Sequence, residues 1–253
     1  MIDLIKLGKK LFPINRSLTG KGSLKTLKII QRKIPKLKIK KFKSRKKVYD
    51  WNVPDEWNVL DAHVKDKTGK KIIDFKKNNL HLVGYSKPFK KKISKKELFK
   101  NLHAIKSFPD AIPYVTSYYN KYWGFCLSFN KKKLFDRKYS NQDKFDVLVD
   151  TRFNKKGCMH YGELLLPGKS KKEILISTYI CHPSMANNEL SGPLVTLALI
   201  KFFSKINLKK SIRFIFAPET IGAIAYINKN IKFLKKNVIG GYVLTCIGDN
   251  RNY

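Results

Sequence analysis

Acidic residues are scarce in this chain of 253 residues: 18 Asp and Glu stand against 54 Lys and Arg, a formal net charge of +36. Arginine is scarce as well, at 7 residues, and the other 47 cations are lysines spread from Lys6 to Lys236. Phosphate and base-edge recognition favours the planar, bidentate arginine fork. An excess of dispersed lysine therefore reads first as solvated surface, and nucleic acid is expected only through non-specific, salt-sensitive charge. Cysteines are few and unpaired in pattern. Cys126, Cys158, Cys181 and Cys246 share no CxxC, so they read as reduced, mostly buried thiols and not as a disulfide framework. No run approaches the ~18 apolar residues of a membrane span, and the opening MIDLIKLGKKLF is a short basic amphipathic helix too weakly apolar for a signal segment. The expectation is a soluble cytoplasmic protein with no membrane partner; homo-oligomerisation is left open.

What is present is enough for a proper core. Apolar residues make up 43% and aromatic residues 12%, which excludes a disordered polycation and suits one large or two smaller domains. Residues 1 to about 34 have helical spacing, with Ile2, Leu4, Ile5, Leu11 and Phe12 before Pro13, and Leu24, Leu27, Ile30 and Ile34 after Ser17-Leu18-Thr19-Gly20. From Leu37 the pattern alternates, and short strands are predicted at 37–42, 48–51, 59–64, 72–75 and 80–85, with Asp66-Lys67-Thr68-Gly69 as a hairpin turn. Ser94 with Glu97 forms a capping box opening a helix to Ala104. An aromatic strand pair is predicted at 114–119 and 122–129. Trp51, Trp57, Tyr118, Tyr119 and Trp123 read as the core and rim of this β-rich unit, the alternative being a platform for sugars or bases. Strands at 145–150, 161–166, 174–180, 211–216 and 238–247 then alternate with helices at 190–204 and 221–235, the pattern of a largely parallel α/β sheet.

The chain is organised around Glu173 to Ile200, EILISTYICHPSMANNELSGPLVTLALI. An apolar strand runs into Cys181-His182-Pro183-Ser184, and in open α/β sheets ligands sit outside the carboxyl ends of strands. Three successive strands end in polar residues, His182, Glu219 and Asp249. If those strands are neighbours, the three converge on one rim, where a metal or a general base would be useful. His63, His81 and His103 lack spacing to one another and read as structural, and His160 reads as an exposed residue ahead of its strand. Cys181 and His182 are expected to point to opposite faces of an extended chain, which argues against a Cys–His couple. Ser191-Gly192 reads as the close packing of a helix on the sheet.

STYICHPSMANNELSGP, FAPETIGAIAYI and GGYVLTCIGD together resemble a bacterial aminopeptidase-like family associated with surface-polysaccharide gene clusters. Its core is similar to the zinc aminopeptidases of the bacterial leucyl-aminopeptidase type. WNVPDEWNVLDAHV and PDAIPYVTSYYNKYWGFCLS resemble its inserted β-domain, and LFPINRSLTG its N-terminal signature. The resemblance implies an α/β fold with a largely parallel sheet and flanking helices, of the phosphorylase/hydrolase-like type, plus a small β-rich insert. Implied bounds are 1–45 for an N-terminal helical part, 46–135 for the insert and 136–253 for the core. It also implies a zinc cofactor, with His182 as ligand and Glu219 as general base to a bound water. Ser184 stands where the zinc enzymes place an orienting aspartate, Asn188 at the bridging carboxylate, Thr220 at a ligand glutamate and Thr245 at a third acidic ligand, with Asp249 the nearby replacement. A neutral amide bridges two zinc ions poorly. The family's last ligand histidine lies well beyond Asp249, so the resemblance implies a truncated chain. The function expected is metal-dependent hydrolysis of a small peptide or amide. The alternatives are a non-catalytic relative binding a peptide, amino sugar or polysaccharide precursor, and charge-driven nucleic-acid binding.

Overall fold

The computed structural model describes residues 3–250; Ile2, read as part of the first helix, and Tyr253 lie outside it. Two compact units are present, Met1–Glu56 with Asn154–Tyr253, and Trp57–Phe153. The inserted unit is thus offset from the 46–135 read in the sequence, because strand Lys144–Asn154 pairs with the insert's own sheet.

The first unit opens with α1, Leu4–Leu11, where Asp3 caps the helix by accepting the Lys6 N–H at 2.8 Å and Leu7 and Leu11 are buried one turn apart. In α2, Lys21–Lys33, buried Ser23, Thr26, Leu27 and Ile30 follow the i, i+3, i+4, i+7 rule, and the helix stops one residue before Pro35 has to be accommodated. There follow β1 (Lys38–Lys43), β2 (Cys158–Leu166), β3 (Ser170–Tyr179), α3 (Ser191–Phe203), β4 (Lys210–Ala217), α4 (Ile221–Asn237) and β5 (Val238–Val243). They build one sheet in the order β1-β2-β4-β3-β5. β4, β3 and β5 are mutually parallel, and β2 and β1 extend the sheet antiparallel.

Alternation along β4 shows why both faces are covered. Phe214 and Phe216 enter a core with Leu11, Leu27, Ile30 and Leu197, whereas Ile215 and Ala217 enter a second core with Phe42, Tyr161, Ala225 and Tyr226. Each fully buried Phe contributes roughly 2–3 kcal/mol by removal of apolar surface from water. Register places Tyr179 opposite Ala217 and Ser177 opposite Val243. The carboxyl ends of the three parallel strands therefore open onto the same edge.

The second unit holds a four-stranded sheet in the order Lys71–Asp74, Glu56–Lys65, Lys144–Asn154, Phe89–Ser94. The Ser94–Glu97 capping box forms as the spacing predicts. Two predicted strands do not. Around 80–85 the chain makes a 3-10 turn, Asn79–His81, because the Asn78 side chain accepts the Leu80 N–H at 3.0 Å. The aromatic pair reduces to strand Phe125–Cys126 and a bridge from Gly84 to Thr116; Ser128 then caps a helix, Phe129–Lys138. That helix buries only Phe135, so its lysine run hides the apolar period. Trp57 and Trp123 are buried, and Trp57 stacks on Tyr85 with centroids 5.1 Å apart.

Candidate active site

His182 lies three residues past the end of β3. The strand's last backbone link is Ile180 N–H to Ala217 carbonyl, 3.1 Å, and Ser23 of α2 donates to the Ile180 carbonyl at the same distance. Held from both sides, Cys181 and His182 are buried. Both the His182 backbone N–H and its Nδ1 lie 2.8 Å from Oε2 of Glu189. Glu189 in turn accepts from Nε of Arg16 through Oε1 at 3.0 Å, and the side chains of this pair are both 0% exposed. Arg16 Nη1 donates to the Leu11 carbonyl at 2.5 Å. A carboxylate on Nδ1 fixes the ring and its tautomer, so Nε2 becomes the nitrogen offered to chemistry.

Nε2 of His182 is 3.4 Å from Oε2 of Glu219, whose side chain is 46% exposed. Glu219 follows β4, and its backbone N–H donates to Cys181 Sγ at 3.2 Å. The ring of Tyr179 meets His182 edge-on at 5.4 Å, and its hydroxyl is bonded to Thr245. Burial pushes that phenol up to about 12, so it is neutral at ordinary pH. Non-glycine residues of positive φ ring this edge: Ser184 (45°), Thr220 (54°) and Cys246 (52°) fall just beyond β3, β4 and β5 in turn. Backbone strain of this kind concentrates at functional sites.

The structure brings His182 and Glu219 together, and the other two candidates hydrogen-bond to residues that follow β3 and β5. Asn188 Nδ2 is directed to Cys246 Sγ at 3.6 Å, and its carbonyl lies 3.1 Å from the Thr245 hydroxyl. Asp249 accepts from Asn187 Nδ2 at 2.9 Å. One expectation is corrected. Cys181 Sγ is 3.6 Å from His182 Nδ1, because the chain has left β3 at Tyr179 and strand alternation no longer applies. The pair is still no nucleophilic couple: burial holds the Cys181 thiol well above its ordinary range, and Nδ1 is engaged by Glu189.

Sequence reasoning missed Arg16 and Glu189. Both sat in quoted segments, LFPINRSLTG and NELSG, and the signal was composition: Arg16 stands between apolar Ile14 and Leu18 in a chain with 7 arginines. Three of the remaining histidines have hydrogen-bond partners within the protein: His63 on Asp61, His81 on the Cys126 carbonyl and His103 on the Tyr122 hydroxyl. His160 is not exposed as expected; it lies within β2, half-buried, and its Nδ1 has no hydrogen-bond partner among the described residues.

Donor atoms of Cys181, His182 and Glu219 all lie within 4.8 Å of one another. One nitrogen and one sulfur, with a carboxylate beside them placed to act on a bound water, suit a single borderline-soft ion such as zinc. They do not suit a pair of ions, since no carboxylate bridges from the Asn188 position.

The sequence pattern of the family described as "Domain of unknown function (DUF4910)" matches residues 5–253. A Clostridium acetobutylicum protein described as a polysaccharide biosynthesis protein with an aminopeptidase-like domain is 46% identical over 247 residues, 98% of this chain and 55% of its own length. The crystal structure of a peptidase from Clostridium acetobutylicum superposes with a TM-score of 0.92 at 45% identity, covering 98% of this chain and 57% of that one. BSAP, a zinc aminopeptidase from Bacillus subtilis, superposes at a TM-score of 0.61 and 12% identity over 97% of this chain and 68% of its own, a likeness of fold. The chain spans little more than half the length of the Clostridium relatives. No described helix is long and apolar enough to cross a membrane.

Proposed function

Because the chain belongs to the DUF4910 family, on an aminopeptidase fold, we propose that it is a metal-dependent hydrolase of amide bonds in small peptides or amino-sugar conjugates. The observation that carries this reading is the fixed His182 ring, with Nδ1 on Glu189 and Nε2 facing Glu219 at 3.4 Å. His182 through Nε2 and Cys181 through Sγ are the residues that would hold zinc. Zinc there would polarise an amide carbonyl and acidify water. Glu219, the only half-exposed member of the trio, removes a proton from the attacking water and passes it to the departing amine as the C–N bond breaks. Glu189 and Arg16 keep the imidazole from turning, and Tyr179 walls one side as a neutral phenol. Asn188 and Asp249, engaged with Cys246 and Asn187, are given no ion. The four cysteines, none of them in a disulfide among the described residues, favour a reducing, cytoplasmic setting.

Metal analysis of the purified protein and turnover of a panel of aminoacyl anilides test the proposal. Glu219→Gln should lower turnover by about 10²–10⁴-fold while leaving metal content unchanged. A protein that holds no zinc, and whose amidase activity the substitution leaves alone, would falsify it. The engagement of Asn188 and Asp249 favours a second reading, a cleft that binds a saccharide precursor without turnover; chelator-insensitive binding would select it.

A further inference from the structure

Three helices of the first unit turn one face each toward a cavity of about 420 Å³. From α1 come Asp3, Lys6, Leu7 and Lys10, spaced i, i+3, i+4, i+7; from α2 come Ile29, Arg32 and Lys33, spaced i, i+3, i+4; α3 supplies Lys201. Leu7 and Ile29 are buried and form the floor, and the five cations are exposed around the rim. Lys201 stands ten residues along α3 from Ser191, so about 15 Å of helix separates this cleft from the strand-end site.

The charges here are not balanced. None of the five cations has a carboxylate within ion-pairing distance among the described residues, whereas Lys40, Lys71, Lys95, Arg45 and Arg213 each have one. Among the described residues, Asp3 is the only acid lining the cleft, and it is committed to capping α1. Like charges around a walled cavity repel one another and focus a positive potential into it, a state relieved by a multivalent anion. The volume suits a compact ligand and excludes a duplex. Arg32 provides a planar fork and the four lysines movable point charges, a combination matched to adjacent phosphate groups. An orthophosphate is too small to satisfy all five.

We propose that the cleft between α1, α2 and the end of α3 binds a diphosphate group, as a site separate from His182 and Glu219. The probe is inorganic pyrophosphate, titrated calorimetrically into the full chain at about 0.15 M salt, where dispersed surface lysines are largely screened. Saturable binding at one site per chain is expected, at least about tenfold tighter than orthophosphate. Arg32→Ala/Lys33→Ala should weaken it by about tenfold or more; both residues are exposed, so folding, followed by circular dichroism, should be unchanged. Lys65→Ala/Lys67→Ala, in the other unit, should leave it intact. Non-saturable binding, equal loss in both double variants, or no loss in the first would each overturn the proposal and reduce the cleft to ordinary lysine surface.

Discussion

Replacing Arg16 by Met tests the buried support of His182 most directly. The Arg16–Glu189 pair is closed to solvent on both sides at 3.0 Å. Burial works against the guanidinium's charge, and attraction to Glu189 offsets this only in part. Such a pair adds little net stability over an apolar replacement, but removing one partner strands the other as a buried charge at about 3–5 kcal/mol. Met fills similar volume, so the cavity contribution is small, and the Glu189 carboxylate keeps its two His182 donors. Arg16→Met is therefore expected near the lower end, about 3 kcal/mol. Glu189→Leu should cost more, about 4–5 kcal/mol, because it removes both the guanidinium's charge partner and the acceptor of the His182 backbone N–H and Nδ1. The double variant should return to within about 1–2 kcal/mol of the parent, giving a large coupling energy. Urea unfolding midpoints with unchanged m-values provide the readout. A loss below about 1 kcal/mol for Arg16→Met, or additive single losses, would show that the pair is not a closed unit and that the argument is wrong.

Other expectations follow from packing, titration and burial. Gly192→Ala should destabilise the first unit by about 1–3 kcal/mol, since a Cβ there would overlap the Leu244 carbonyl and the Thr178 hydroxyl; an unchanged urea midpoint would refute that close approach. Asp66 accepts from Thr68 N–H and hydroxyl, Lys70 N–H and the Tyr139 hydroxyl, bonds that lower its carboxyl from 3.8 to about 2, the Thr68 hydroxyl first among them. The stability this adds is complete above its unfolded value and is lost as pH falls from about 4 through 2. Asp66→Asn should flatten that acid limb in unfolding curves taken across the window, and an identical limb would remove Asp66 as its source. Cys181 and Cys126, buried with thiols pushed up, should resist iodoacetamide until the chain unfolds, while part-exposed Cys158 and Cys246 react before them; mass spectrometry showing early modification of Cys181 would contradict the burial.

Strand ends and helix faces were legible in the sequence because their signals are local. The apolar runs of β3 and β4 mark His182 and Glu219, like Asp249, as strand-end residues that share one rim if their strands are neighbours. The structure brings His182 and Glu219 within 3.4 Å. The Gly192 contact was also readable, as a small residue where a helix must approach a strand. What could not be read was non-local. Nothing near Glu189 in the sequence says that its carboxylate turns inward to His182, and nothing near Arg16 names a partner 173 residues away. The failed strand at 80–85 shows a different limit: Asn78 satisfies the backbone with its side chain, a local bond that competes with sheet pairing and leaves the hydrophobic pattern unchanged.

The separation between Arg16 and Glu189 bears on the order in which the protein folds. The entire Trp57–Phe153 unit lies between them along the chain. Loop length is a mild thermodynamic burden, about 0.6 kcal/mol per doubling, yet contacts of high sequence separation form late because closure precedes reward. During synthesis α1, α2 and the inserted unit can emerge and fold while His182 still lacks its anchor. The imidazole is set only when residue 189 arrives and residue 16 is waiting for it. Competence of the site is therefore a property acquired in the last steps of folding, and an Arg16 variant should reach a compact state on time while holding Glu189, and through it His182, less firmly.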